Sequence, residues 1–510
     1  MVKQKKILHY PRIDSILMVE KTVKKFNGKY GKKQLWLHLP KKMMYQTFCY
    51  IFDYLLNLNK IKVEESKISL IFEDKDKVYK SEKRSKNMRT YIKDALKSKG
   101  KIELFGWVHD SRDLSKIRFL ILKDITGRIQ ITGIKNKTND KIFKLMDKIS
   151  KESVIKVSGE LKDSKQAPGG KEILPDSIEV IAVAESPLPI DVSDRSKTEL
   201  PKRLDYRFLD LHRAKTQAIF KIESTMMQAY REFMINENGI EAVFPSIIGS
   251  SSEGGTELFK MKYFEKEAYL SQSCQLYKQM LACSMEKVFA IFCVWRAEKH
   301  NTIQHLNEAR QLDYEECFAD EFKVMDVLAR CVQYIVKKIL DERKKELDLL
   351  GVNLVVPKTK YMTFAQASKL MKTKKVHVGK DDLSKEAEKK LGELYPDTIV
   401  FVHDWPIAGK PFYIMPKGKD LSGGFDAIYN GVEISSGGQR VHIPELLEKR
   451  LKEKGLKIKD FKAYIDSFRY GAPPHAGWGV GLERLMTQVL GIANIREVTL
   501  FPRDRDRLTP

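Results

Sequence analysis

Two arginines, Arg296 and Arg484, each stand beside groups that could handle a phosphate. Arg484 follows the run Gly471-Ala-Pro-Pro-His-Ala-Gly-Trp-Gly-Val-Gly-Leu-Glu, in which Gly477, Gly479 and Gly481 alternate. Alternating glycines leave one strand face without side chains, so a flat base or sugar could lie on the backbone. An arginine directly after them could reach the phosphate next to it. Arg296 opens Arg-Ala-Glu-Lys-His, where Glu298 could accept from an adenine amino group. Asp426, Glu433 and Ser436 are hard oxygen ligands on one segment, a set that suits Mg²⁺ beside phosphate. Arg440 ends that segment and, with a lysine, would suit a substrate carboxylate. Ser250-Ser-Ser-Glu-Gly-Gly-Thr-Glu has the composition of a loop that closes over a small ligand. Singly, each of these charges reads as a solvated ion pair. Jointly, they describe a site for a nucleotide, a metal and a carboxylate.

Such a site needs a large scaffold. At 510 residues the chain has room for two to four domains, and 42% apolar residues supply a sizeable core. The formal net charge of +24 implies a polyanionic partner, with nucleic acid the leading candidate. Residues 1–90 alone hold 22 Lys+Arg against 9 Asp+Glu. The six cysteines, Cys49, Cys274, Cys283, Cys293, Cys317 and Cys331, form no C-x-x-C pair and no His/Cys cluster with zinc spacing. They read as buried free thiols in a reducing compartment. No signal-peptide core opens the chain, and the apolar run Val288–Trp295 is far too short to span a bilayer. A soluble, cytoplasmic protein without membrane contact is expected.

In chain order, residues 1–85 read as a basic unit of their own. Tyr45–Leu58 has helical spacing, with Phe48, Ile51, Phe52, Leu55 and Leu56 on one stripe, and Ile61–Val63 and Lys67–Phe72 read as a hairpin. Helix then hairpin is compatible with a winged-helix module, a nucleic-acid binder or a protein-docking unit. Lys75–Arg89 reads as a linker. Residues 86–185 carry five strand patterns with one helix, Asp140–Ile149, between the third and fourth. That order matches an OB-type barrel, on whose face Phe119 could stack a base and Gln130 could hydrogen-bond one. Alone, Phe119 reads more readily as core. A proline-marked hinge over 186–206 leads to residues 207–510, expected as helices packed on a mainly antiparallel sheet, an α+β class. Thr216–Asn236 reads as a helix, Glu241–Phe244, Thr398–His403, Pro411–Met415, Ala427–Ser435 and Gly477–Gly481 as strands, and Leu482–Leu490 as a helix. Two helices, Thr363–Lys372 and Lys385–Leu394, mark an inserted segment near 360–396.

The stretches Ser251–Phe259, Gln272–Gln279, Arg296–Ala309, Gly431–His442 and Tyr470–Pro510 resemble class II aminoacyl-tRNA synthetases. More closely, they resemble the aspartyl-tRNA synthetases of archaeal and eukaryotic type, from about residue 90 to the C-terminus. The resemblance implies a class II antiparallel sheet behind an OB-fold anticodon-binding barrel. It implies a homodimer, with Pro245 in the first class motif at its interface. It implies ATP as substrate, with Arg296, Glu298, His305, Leu306, Glu433, Gly481 and Arg484 around it, and Arg296 and Arg484 catalytic. It assigns aspartate to Ser251, Glu253, Gln275, Lys278, Asp313, Ser436 and Arg440, and Mg²⁺ to Asp426, Glu433 and Ser436. Phe119, Gln130 and Glu172 match anticodon-reading positions. His109 and Pro168 occupy loop positions that accompany relaxed anticodon reading in relatives, so tRNA-Asp alone or both tRNA-Asp and tRNA-Asn stay open. The sequence departs from the family at Gln304, Cys274, Cys293, Trp295 and Gly423-Gly424, all near the expected site. The expected activity is an aspartate–tRNA ligase. The alternatives are an asparagine ligase on the same fold, or a non-catalytic RNA- or protein-binding relative whose basic extension does the work.

Overall fold

The computed structural model describes residues 13–57, 61–64, 66–70, 89–193, 197–249, 258–299 and 301–510. The chain divides into two compact units, Met1–Ser186 and Pro187–Pro510.

The first unit begins with three helices, Ile13–Lys25, Lys32–Leu37 and Tyr45–Asn57, followed by the hairpin of Ile61–Glu64 and Lys67–Leu70. Phe48, Ile51, Phe52 and Leu55 are buried against Val19, Val23 and Leu35, as an i, i+3, i+4, i+7 stripe requires. Leu56, read as part of that stripe, is 38% exposed, because it lies one step round the helix from Leu55. The linker stretch falls outside the described residues except for Arg89.

Five strands follow: Gly100–Asp113, Ile117–Lys123, Arg128–Ile134, Val154–Asp163 and Lys171–Ala182. They close into a barrel, in the order first, second, third, fifth, fourth. Alternate residues such as Leu104, Leu120, Leu122, Ile129, Ile131, Ile155 and Val157 fill it. The helix Asp140–Lys148 starts where Asn139 accepts a hydrogen bond from the Lys141 N–H.

The second unit is built on an eight-stranded sheet. Its order is Lys358–Thr363, Thr398–His403, Gly424–Tyr429, Val432–Gln439, His475–Gly481, Glu308–Cys317, Lys287–Trp295 and Ile240–Glu241. All neighbours run antiparallel except the two pairs at the edges. Helices Ala214–Asn236 and Glu321–Glu342 bury Ile222, Met226, Tyr230, Leu328, Val332 and Ile335 in the main core shared with the sheet. The helices Phe364–Thr373 and Lys385–Leu394 enclose a smaller core around Trp405.

Four expectations need correction here. Ala427–Ser435 is two strands joined by a tight hairpin, because Asn430 and Gly431 both take positive φ, 47° and 83°. Pro411–Met415 is a turn that meets the sheet only through the bridge between Ile414 and Arg440. The strand before Pro245 is only Ile240–Glu241. The end of the expected hinge is a helix, Leu200–Asp205, which Pro201 starts in its first turn.

Candidate active site

Three central strands carry the site: Glu308–Cys317, His475–Gly481 and Val432–Gln439. Gln311, Asp313 and Glu315 point to one face of their strand and stand opposite Gly481, Gly479 and Gly477. The glycines make room for what faces them. A Cβ on Gly477 would lie 2.2 Å from Glu315 Oε2 and 2.2 Å from the Tyr314 carbonyl oxygen. One on Gly479 would lie 3.2 Å from Asp313 Oδ1. Gly477 is therefore a slot for a buried carboxylate rather than a shelf for a ligand. Gly479 and Gly481 do line open space.

That space is two adjoining cavities. The larger, about 400 Å³, is lined by Gln275, Lys278, Asp313, Asp426, Ser436 and Arg440 among others. Lys278, only 2% exposed, donates to Asp313 Oδ1 at 2.9 Å and to the Trp478 carbonyl at 2.9 Å. Its Nζ is 3.6 Å from Glu315 Oε2. Arg440 clasps the same carboxylate, Nε to Oε1 at 2.8 Å and Nη2 to Oε2 at 3.2 Å. Burial pushes the Glu315 carboxyl up, but Arg440 and Lys278 outweigh it and hold it below the ordinary range. Among the described residues Asp313 Oδ2 is buried without a hydrogen-bond partner, which leaves an acceptor at the cavity wall. The strand beneath it is fixed by the Tyr230 hydroxyl, which donates to the Asp313 carbonyl at 2.6 Å.

At the other side of this cavity stand Asp381, Asp382, Asp426 and Glu433. Lys410 donates to Asp426 Oδ2 at 2.7 Å while lying 4.1 Å from the Trp405 ring centre. Burial pushes the Asp426 carboxyl up to about 6; Lys410 opposes this and the charge of Glu433 adds to it. Four carboxyls against Lys410, Arg296 and Arg484, the last 3.9 Å from Glu433, leave negative charge in excess. Hard oxygen donors with that imbalance fit a divalent cation.

The second cavity, about 210 Å³, is lined by Arg296, Glu298, His305, Leu306, Glu433, Gly481 and Arg484, together with Gln304 and Glu483. Arg296, Gln311, Glu433, Ser436 and Gly479 line both cavities, so the two form one continuous site. Here the cations are half-exposed. Arg296 approaches Glu298 only to 4.0 Å, and Arg484 donates to the Glu433 carbonyl at 3.2 Å. Asn307 holds the Arg296 loop by donating to the carbonyls of Arg296 and Glu298 at 2.7 and 3.0 Å. Below lies Glu483, 1% exposed, which accepts from the Arg310 backbone N–H at 3.0 Å. Burial raises its carboxyl, and it pushes Glu223 up to about 7 by burial and then by the charge of Glu483.

The structure thus gathers every expected catalytic, nucleotide, aspartate and metal residue except Ser251 and Glu253, which lie outside the described residues. Sequence reasoning missed Glu315 and Lys410. The signal for Glu315 was its alternation with Asp313 on a strand that read only as an acidic run.

In the barrel, Gln130 and Glu172 are directly opposite each other on neighbouring strands. Gln130 donates to Glu172 Oε2 at 2.9 Å, and the Thr132 hydroxyl donates to the same oxygen at 2.5 Å. Phe119 is half-buried and pairs with Thr132. Pro168 is exposed at the start of the turn Pro168–Gly170. His109 is not a loop residue. It lies inside the strand Gly100–Asp113 at a bulge, 6% exposed, with Nδ1 3.7 Å from Glu152 Oε1.

The description "tRNA synthetases class II (D, K and N)" matches residues 199–505, well over half of the chain. This chain belongs to the class II tRNA synthetases of the D, K and N group. A second description, "OB-fold nucleic acid binding domain", matches residues 102–181 of this synthetase. It is 45% identical to the "Aspartate--tRNA(Asp/Asn) ligase" of Archaeoglobus fulgidus over 83% of this chain and 100% of that protein. It is 44% identical to the "Aspartate--tRNA(Asp) ligase" of Pyrococcus horikoshii over 80% of this chain and 96% of that one. Among solved structures, the asparaginyl-tRNA synthetase of Pyrococcus horikoshii complexed with asparaginyl-adenylate matches with a TM-score of 0.79 at 33% identity. That match covers 83% of the synthetase and 100% of the neighbour. Among its described residues, no helix is long and apolar enough to cross a membrane.

Proposed function

We propose that this synthetase is an aspartate–tRNA ligase that joins L-aspartate to the 3′ end of tRNA-Asp at the expense of ATP. The observation that carries the reading is the buried Lys278–Asp313–Glu315–Arg440 network set against the two phosphate-facing arginines. Arg440 and Lys278 pair the side-chain carboxylate of aspartate, and Asp313 Oδ2 takes its ammonium group beside Gln275 and Ser436. Ser251 and Glu253 complete the set of residues assigned to aspartate. Glu298 accepts from the adenine amino group, and His305, Leu306, Glu433 and Gly481 flank the nucleotide. The α-carboxylate oxygen attacks the α-phosphorus in line; the bond to pyrophosphate breaks, leaving aspartyl-adenylate. The terminal ribose hydroxyl of tRNA then attacks the carbonyl carbon, and AMP departs. Arg296 and Arg484 stabilise charge on the phosphate, and no protein nucleophile takes part. Asp426, Glu433 and Ser436 would hold Mg²⁺, which when bound neutralises phosphate charge. Neutral asparagine cannot pair Arg440 as a carboxylate does, so aspartate is favoured.

In this reading residues 86–185 bind the anticodon through Phe119, Gln130 and Glu172, and residues 207–510 catalyse. Residues 1–85, with 20 Lys+Arg in the stretch, add a further RNA or protein contact. The enzyme works as a cytoplasmic homodimer. His109 and Pro168 bear on whether tRNA-Asn is a second acceptor.

ATP–pyrophosphate exchange tests the first step: exchange with aspartate is expected, and exchange with asparagine alone overturns the reading. Charging tRNA-Asp and tRNA-Asn transcripts side by side settles the acceptor. RNA binding without any exchange would favour the non-catalytic alternative.

A further inference from the structure

Cys283, Cys317 and His475 are far apart in sequence yet their donor atoms all lie within 4.8 Å of one another. The fold brings them together by two simple devices. Cys317 and His475 are directly opposite each other in the strand register. Cys283 stands one and two helical turns beyond Gln279 and Gln275, on the helix Gln275–Met285. Cys317 and His475 are buried and Cys283 is half-buried, so the group is shielded but reachable. His475 Nδ1 is 2.9 Å from the Pro473 carbonyl, the partner that fixes the Nδ1–H tautomer and leaves a lone pair on Nε2. The Gln279 amide, 2.9 Å from that Nε2, is the group a ligand would displace.

We propose that Cys283, Cys317 and His475 form a structural site for a borderline-soft divalent cation, Zn²⁺. Two thiolates and one imidazole are the donors such an ion prefers, and a water would complete the tetrahedron as fourth ligand. Tetrahedral zinc needs its sulfur donors about 3.7 Å apart, within the space already present. Two thiolates neutralise the ion, so no net charge is added next to the buried Glu315. The consequence is mechanical. The ion ties together three elements that carry substrate groups: the helix of Gln275 and Lys278, the strand of Asp313 and Glu315, and the strand of Gly477 and Gly479. None of the three donors faces the two cavities. The site therefore braces the aspartate pocket from behind and is independent of the reaction assigned to it.

The test is zinc content of the full chain purified under reductant without chelator, followed by exchange of zinc for Co²⁺. One zinc per chain and a thiolate-to-cobalt charge-transfer absorption are expected. Both should be lost in Cys283→Ser and retained in Cys293→Ser, which removes a thiol outside the cluster. Should Cys283→Ser fold poorly, the wild-type protein still answers: a strong chelator should lower its Tm and added Zn²⁺ should restore it. No bound zinc and no cobalt absorption in the wild type overturns the proposal. A mass two hydrogens lighter, from a Cys283–Cys317 disulfide in the reduced preparation, overturns it equally.

Discussion

The two ends of the active site are built on opposite plans. At the aspartate end the charges are buried and already engaged: Lys278 and Arg440 are each 2% exposed and share Glu315. At the nucleotide end Arg296 and Arg484 are half-exposed, and among the described residues no carboxylate comes nearer to them than 3.9 Å. The first end is a mould whose charges are already held in place by one another. The second leaves half-exposed guanidiniums open to a phosphate. In the proposed reading selectivity belongs to the first end and transition-state charge to the second.

Substitutions can break this contrast. Arg440→Leu has the largest expected effect, because it deletes the substrate's partner and strands Glu315 as a buried charge. Breaking such a pair costs about 3–5 kcal/mol, so aspartate-dependent exchange should fall by roughly 10²–10⁴-fold while ATP binding persists. Unchanged exchange would refute the mould. Arg484→Ala should lower the exchange rate by about 10²–10³-fold, the loss typical of a removed charge stabiliser, with Tm nearly unchanged. A large fall in Tm would show that this end, too, is structural.

The floor of the nucleotide end offers a pH test. Glu223 sits buried near Glu483 with its carboxyl raised from 4.5 to about 7. A carboxyl raised in the folded state holds its proton more tightly there, so stability falls as pH rises from about 4.5 through 7. Glu223→Gln removes this term. Its Tm should match wild type near pH 5 and exceed it at pH 8, with a difference of up to about 3 kcal/mol. Parallel profiles would mean that Arg310 compensates the pair. The smallest effect is expected from Gly479→Ala, where an added methyl meets Asp313 Oδ1 at 3.2 Å and the side chain must give way, at about 1–3 kcal/mol. It should weaken aspartate more than ATP; an equal effect on both would blur the contrast.

How much of this was legible in the sequence follows from what each residue needs. Arg296, Glu298, Arg440 and Arg484 stand in short runs whose residue types state their chemistry, and the structure does gather them. Barrel and helices were legible because alternation and helical spacing are local. Glu315 was not, since a buried carboxylate looks like a surface one until its cations arrive from residues 278 and 440. Gly477 was read as bare for a ligand because its filler comes from another strand. His109 was placed in a loop by the resemblance alone, and the strand runs past it through a bulge. The Cys283–Cys317–His475 group escaped because zinc spacing describes ligands on one short stretch, and these come from three elements.

The strand Glu308–Cys317 has one more consequence. Its rungs fall every second residue, about 6.8 Å apart, so Gln311, Asp313 and Glu315 mark off about 14 Å along a line the chain cannot stretch. In the proposed reading Gln311 borders the nucleotide and Asp313 the ammonium group, while Glu315 anchors the Arg440 guanidinium. The backbone thus acts as a measuring rod. An amino acid longer or shorter than aspartate meets the same rungs at the wrong distance, and no side-chain rearrangement can move them.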